Sequence, residues 1–171
     1  MQINDKNQII LGIDPGFERL GIAIIEVNNN EKPREKILHS ECFKTSKDEP
    51  IQNRLAQIYK HIKQIIKNYK PTVVAIEEIF FTVNQKTVID VAQSRGVVLS
   101  IVGEENLKII ELSPTLIKQS VTGYGRATKK DIIKMVPKII HIPNATIQDD
   151  EIDAIAVALC AIGQIRYSQM K

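Results

Sequence analysis

After a polar start the chain runs Ile9-Ile10-Leu11-Gly12-Ile13, unbroken and apolar, and closes on Asp14-Pro15-Gly16. An apolar run of this length bounded by turn residues marks a strand covered on both faces. Two further strand patterns follow, Gly21 to Val27 and Ile37 to Thr45, separated by the polar, proline-containing stretch Asn28 to Arg34. Together they predict a three-strand meander. From Pro50 to Tyr69 the period changes: Ile51, Leu55, Ile58, Ile62, Ile65 and Ile66 recur at helical spacing, with Lys60, Lys63 and Lys67 on the opposite face. Ser46 or Asp48 is the expected cap of that helix. Pro71 ends it, and Thr72 to Glu77 reads as a buried strand. Gln85 to Gly103 reads as a second helix, Leu107 to Leu112 as a short strand, and Ser113-Pro114 as a helix start continuing to Val121. Lys129 to Ile140 is helical, with a break expected near Pro137, and a final helix runs from about Gln148 to Arg166 with an apolar middle. This order predicts an α/β fold over residues 1–171 as a single domain, a mixed five-stranded sheet with helices on both faces.

Composition narrows the picture without naming a function. Hydrophobic residues make up 43% of the 171 and charged residues 25%, which suits a globular chain rather than a disordered one. Tryptophan is absent, so aliphatic side chains must fill the core. The net charge of +3 is compatible with a nucleic-acid partner and does not select one. Cys42 and Cys160 match no metal spacing, and Cys160 lies in an apolar run as a small buried thiol. Two cysteines, a polar Met1 to Asn7 without a signal core, and no apolar run near ~20 residues predict a cytoplasmic location and no membrane partner.

The chemistry lies in carboxylates. Asp14 ends one predicted strand and Glu77 another; if the two are parallel neighbours, both acids sit at the edge where α/β sheets collect ligands. Strand alternation alone leaves Glu77 and Glu78 as alternatives. The last helix opens Asp149-Asp150-Glu151-Ile152-Asp153. The helix dipole accounts for the first three acids but poorly for Asp153, which leads straight into Ala154-Ile155-Ala156-Val157. Asp150 and Asp153, three residues apart, share a face. A carboxylate at the edge of a buried helix needs a cation, and hard oxygen donors suit Mg²⁺ or Mn²⁺. Two such ions would serve an in-line phosphodiester cleavage. His39, His61 and His141 read as scattered surface or loop residues.

Four segments in combination carry a resemblance: Ile13-Asp14-Pro15-Gly16; Ile76-Glu77-Glu78-Ile79-Phe80 leading to Ala92-Gln93-Ser94-Arg95-Gly96; Lys118 to Gly125; and Asp150 to Ala156. From about residue 9 to residue 163 the chain resembles the RuvC family of Holliday junction resolvases, within the ribonuclease H-like fold. The resemblance implies that Asp14, Glu77, Asp150 and Asp153 are catalytic acids holding two Mg²⁺ ions per subunit, with Mn²⁺ able to substitute. It selects Glu77 over Glu78 and Asp150 over Asp149. It implies that Phe80 contacts unpaired bases at a junction centre, with Phe81 as the alternative. It implies that Lys118 and Lys129 act on DNA, with Lys130 as the alternative to Lys129. The loop from Gly123 through Arg126 to Lys130 combines glycines with three cations and suits a phosphate backbone. The resemblance also implies a homodimer, contacting through the helix from about Gln85, four-way junction DNA as substrate, and a branch-migration motor as partner.

Three rival readings are discriminable. An actin-like phosphotransferase would need a second Asp-x-Gly loop and a longer chain. A binding protein without cleavage would not need the full acid set. A ribonuclease H-like enzyme acting on structured RNA would not need the Phe80 loop.

Overall fold

The structure is a computed structural model that describes residues 7–79, 85–143 and 146–170, the side chains of 85–87 excepted. Three strands, β1 (Gln8–Asp14), β2 (Arg19–Val27) and β3 (Glu35–Lys44), form an antiparallel meander. Helix α1 (Ile51–Tyr69) leads to β4 (Val73–Glu77), which pairs parallel to β1, and α2 (Gln85–Glu104) leads to β5 (Lys108–Leu112), parallel to β4. Three helices close the chain: α3 (Pro114–Thr122), α4 (Lys129–Ile139) and α5 (Asp149–Gln169). The strand order β3-β2-β1-β4-β5 is the mixed five-stranded sheet expected from the element order.

Alternation along each strand divides the core in two. Ile10, Ala23, Ile25, Val73 and Ala75 face α3, α4 and α5, where Ile117, Val121, Ile132, Val136 and the apolar length of α5 meet them. Leu11, Ile13, Ile22, Ile24, Val74 and Ile76 face the other way, onto Ile58, Ile62 and Ile65 of α1 and Val98, Ile101 and Val102 of α2. Each fully covered isoleucine contributes roughly 1.5–3 kcal/mol. Helix α5 lies unusually close to the sheet. A Cβ on Gly12 would collide with the Ala154 carbonyl oxygen, and one on Gly21 with that of Asp150. Two glycines under a helix rich in alanine thus seat its N-terminal half directly on β1 and β2.

Several boundaries differ from expectation for local reasons. Neither Ser46 nor Asp48 caps α1; Pro50 holds the N-cap position with no side-chain bond. The Ser46 hydroxyl is turned to its own tight turn, accepting from the Asp48 amide at 3.2 Å. Ser113 does cap α3, accepting from the Leu116 amide at 3.3 Å. Helix α4 is not broken at Pro137, which falls in its last turn before Ile140. A reciprocal cap between Thr128 and Asp131 starts that helix. His39 and His61 are not scattered: they converge on Glu41 across β3 and α1, at 3.0 and 2.6 Å. Phe43 stacks on His61 and Tyr69 on His39. Cys42 and Cys160 are both free thiols, Cys160 fully buried. Among the described residues no helix is long and apolar enough to cross a membrane.

Candidate active site

The register Ile13↔Ile76 places Asp14 and Glu77 one step further on, at the same end of neighbouring parallel strands. Alternation then decides which way they face. Ile10 and Gly12 lie toward α5, and so does Asp14; Val73 and Ala75 lie toward α5, and so does Glu77. Glu78 falls on the opposite phase, and its amide donates to the Leu112 carbonyl. On β2 the same phase brings Arg19 and Gly21 under α5, and on β3 it brings Ser40 and Cys42. The first turn of α5 is thereby received by β2 and β3. Ser40 donates to Glu151 at 2.9 Å, and Glu151 accepts the Gln148 amide at 3.1 Å.

The loop after Asp14 is clamped from below. Thr45 donates to the Phe17 carbonyl at 2.7 Å, and buried Arg54 donates to Thr45 at 3.0 Å. The Arg54 guanidinium also stacks 3.7 Å over the Phe17 ring. Ser94, fully buried on α2, donates to the Gly16 carbonyl at 2.8 Å. Buried hydrogen bonds of this kind fix a backbone because losing one leaves a buried polar group unsatisfied.

The acids brought together this way repel one another. Burial drives the Asp14 carboxyl well above its usual range, and the charges of Glu77, Asp153 and Asp150 push further, against Lys129. Burial and then Asp153 raise Glu77 to about 6, restrained by a hydrogen bond with Asp14 and by Lys118 and Lys129. Asp153 is also raised by burial, although Lys129 sits 2.8 Å away and opposes the shift. Asp150 behaves differently. Burial would raise it, but Arg19 outweighs burial and holds it below its ordinary value. The Arg19 Nε donates to Asp150 at 2.7 Å, its second nitrogen pairs with the same oxygen, and it reaches Gln148 at 3.3 Å. The Cys42 thiol also points at Asp150, 3.6 Å away.

The four predicted acids therefore occupy one end of the sheet, in two groups. Asp14, Glu77 and Asp153 crowd together, while Asp150 is turned toward Arg19 and Cys42. Among the described residues, no three Asp, Glu, His or Cys side chains form a finished metal-binding set as they stand. The donor chemistry nonetheless fits a hard divalent cation. Burial and mutual repulsion raise Asp14, Glu77 and Asp153 above their ordinary range, and each would gain from a shared positive charge.

Beside them lies a small cavity of about 160 Å³, walled by Pro114, Ile117, Ile132 and Ala156 and rimmed by Glu77, Asp153, Lys118 and Lys129. Lys129 opens α4 and pairs with Asp153, whereas its neighbour Lys130 and the loop residue Arg126 are exposed and form no ion pair among the described residues. Phe80 and Phe81 lie outside the described residues. Arg19 and Cys42 are site residues that sequence reasoning missed. The available signal for Arg19 was a cation five residues after Asp14 in a turn; for Cys42 there was none.

A mixed sheet of order β3-β2-β1-β4-β5 with acids at the ends of its central pair defines the ribonuclease H-like class of fold. The family model described as "Crossover junction endodeoxyribonuclease RuvC" matches residues 10–161. A relative of that description from Caldicellulosiruptor saccharolyticus is 42% identical over 153 residues, covering 90% of this chain and 91% of its own. The solved structure of T. thermophilus RuvC in complex with Holliday junction substrate superposes with a TM-score of 0.85 at 29% identity, covering 94% of this chain and 96% of that one. The yeast mitochondrial Holliday junction resolvase Ydc2 shares the fold, at a TM-score of 0.69 and 14% identity. The chain belongs to the RuvC family of crossover junction endodeoxyribonucleases.

Proposed function

We propose that this protein is a metal-dependent endonuclease that resolves four-way DNA junctions by paired nicks in opposed strands, in recombination and repair. The observation that carries the reading is the crowding of Asp14, Glu77 and Asp153 at one sheet edge in a chain of this family. Asp14, Glu77, Asp150 and Asp153 are the residues that would hold divalent ions, Mg²⁺ by preference, two per subunit, with Mn²⁺ substituting. Bound there, the ions supply an acidified water and positive charge for the leaving oxygen.

The chain's own cations do the rest. Lys118 and Lys129, on the rim of the small cavity, pair with the scissile phosphate in this reading and neutralise charge that grows as the bond breaks. Arg126 and Lys130, exposed in the loop and first turn beyond, meet the flanking backbone without reading sequence. Phe80, carried over from the family pattern, stacks on a base freed at the junction centre. A two-fold dimer presents two such sites to the two-fold junction, and a branch-migration motor supplies the junction in the cytoplasm. Two unpaired thiols support a reducing compartment. The single domain spans residues 1–171.

The test is incubation with an end-labelled four-way junction, with and without Mg²⁺, mapping the cut in each strand. Symmetric nicks in two opposed strands that require the metal are expected. Junction binding with no cleavage in either Mg²⁺ or Mn²⁺ would reduce the protein to a binding module, and equal cutting of linear duplex or folded RNA would reassign its substrate.

A further inference from the structure

At the far end of the sheet from the carboxylates, a groove of about 730 Å³ opens between the second half of α1, the turn into β4 and the turn into β5. Its floor is apolar: Ile66 and Pro71 are buried and Leu107 is half-buried. Its rim is basic: Lys60, Lys63, Lys67 and Lys70, spaced by three, four and three residues, form one stripe along the helix. Lys63 is held by Glu104, at 3.1 Å, and by Glu105, and Tyr59 donates to Glu104 at 2.7 Å. Among the described residues Lys60, Lys67 and Lys70 form no ion pair.

The helix dipole explains cations in a last turn, and so covers Lys67 and Lys70. It does not reach Lys60 and Lys63, which lie further back. Lys70 adopts φ 50, a left-handed conformation that glycine ordinarily supplies at a helix end. A lysine has thus been placed where backbone preference argues against one, and it extends the stripe to the mouth of the groove.

The combination discriminates between acidic partners. A phosphate backbone would match the lysines but gains nothing from Ile66, Pro71 and Leu107. A peptide carrying an apolar residue flanked by aspartate or glutamate matches both floor and rim. The groove lies before the first residue of β4 and Glu77 is the strand's last, so at least about 13 Å of strand separates them. An occupant of the groove leaves the cutting site open to DNA. The geometry points to this groove as the docking site for an acidic, apolar-anchored peptide segment of a partner protein, engaged while the nuclease sits on its substrate.

Fluorescence anisotropy of the full chain with a labelled peptide of leucines flanked by aspartates reads this directly. Saturable binding is expected, weakened about tenfold by Lys60→Glu combined with Lys67→Glu. A peptide of aspartates alone is expected to bind at least about tenfold more weakly, since it cannot use the floor. Lys138→Glu, on α4 across the sheet, removes equal charge and should leave affinity within about twofold. Junction cleavage by the double variant should match wild type. Absence of saturable peptide binding, equal affinity for the two peptides, or an equal loss from Lys138→Glu would each overturn the proposal. So would loss of duplex DNA binding in the double variant, which would assign the lysines to the substrate.

Discussion

Two groups of acids in this molecule are both packed between secondary-structure elements, yet they have opposite fates. Glu41, between β3 and α1, is desolvated, but hydrogen bonds and charge from His39 and His61 outweigh burial and hold it at about 2. Glu77, between β4 and α5, is desolvated beside Asp14 and Asp153, and rises to about 6. The first group is completed by its own neighbours, as a structural cluster should be. The second is left short of positive charge by the same fold that built it, and a protein tolerates such a cluster where a ligand relieves it. Arg19 shows the intermediate case: it satisfies Asp150 alone, and that acid is lowered rather than raised.

The sharpest way to break the contrast is chemical. Asp14→Asn removes charge and little volume; cleavage should fall by roughly a thousandfold or more with junction affinity retained. Electrophoretic binding and single-turnover cutting measure the two separately, and joint loss of binding and folding would make Asp14 structural. Next comes the seat that forces the crowding. Gly12→Ala drives a methyl group into α5 and should cost about 3 kcal/mol in urea denaturation. A silent substitution would mean that α5 does not rest on β1 as closely as described.

The pH dependences of the two groups should run in opposite directions. Glu77 has a folded value above its ordinary 4.5, so the folded state keeps a proton that the unfolded chain releases. Stability is therefore unaffected below 4.5, falls as pH rises toward about 6, and stays reduced above it. In metal-free buffer at pH near 8, Glu77→Gln should stabilise by up to about 2 kcal/mol, with the gain gone at low pH. Glu41 has a folded value below its ordinary 4.5, so its contribution is present above that pH and declines as pH falls toward about 2. Glu41→Gln should cost about 1 kcal/mol near neutrality, after discounting for solvent screening, and less in acid. Parallel urea titrations across pH decide both, and slopes of the same sign would dissolve the distinction.

Much of this arrangement is legible in the residues, and the illegible parts share a cause. The strands and long helices follow from periodicity, and Asp14 and Glu77 follow from standing at the ends of apolar runs. Glu77 could not be told from Glu78 because β4 is apolar on both faces; alternation becomes decisive only once α5 defines which face is which. Arg19 reads as a turn cation until β2 is seen to begin with it under Asp150. His39 and His61 read as isolated because the contact that unites them joins β3 to α1, 20 residues apart at Glu41 and His61. The failed α1 cap has a more local origin: Ser46 had a competing turn of its own to satisfy.

Calorimetric titration of Mn²⁺ into the protein near pH 6, repeated in buffers of different ionisation enthalpy, addresses the crowded acids most directly. Binding should release protons, because Glu77, raised to about 6, is part-protonated there and burial moves Asp14 in the same direction, and both binding and release should vanish in the combined Asp14→Asn and Glu77→Gln variant. Undiminished metal binding by that variant, or binding in the native protein with no proton exchange, would contradict the account.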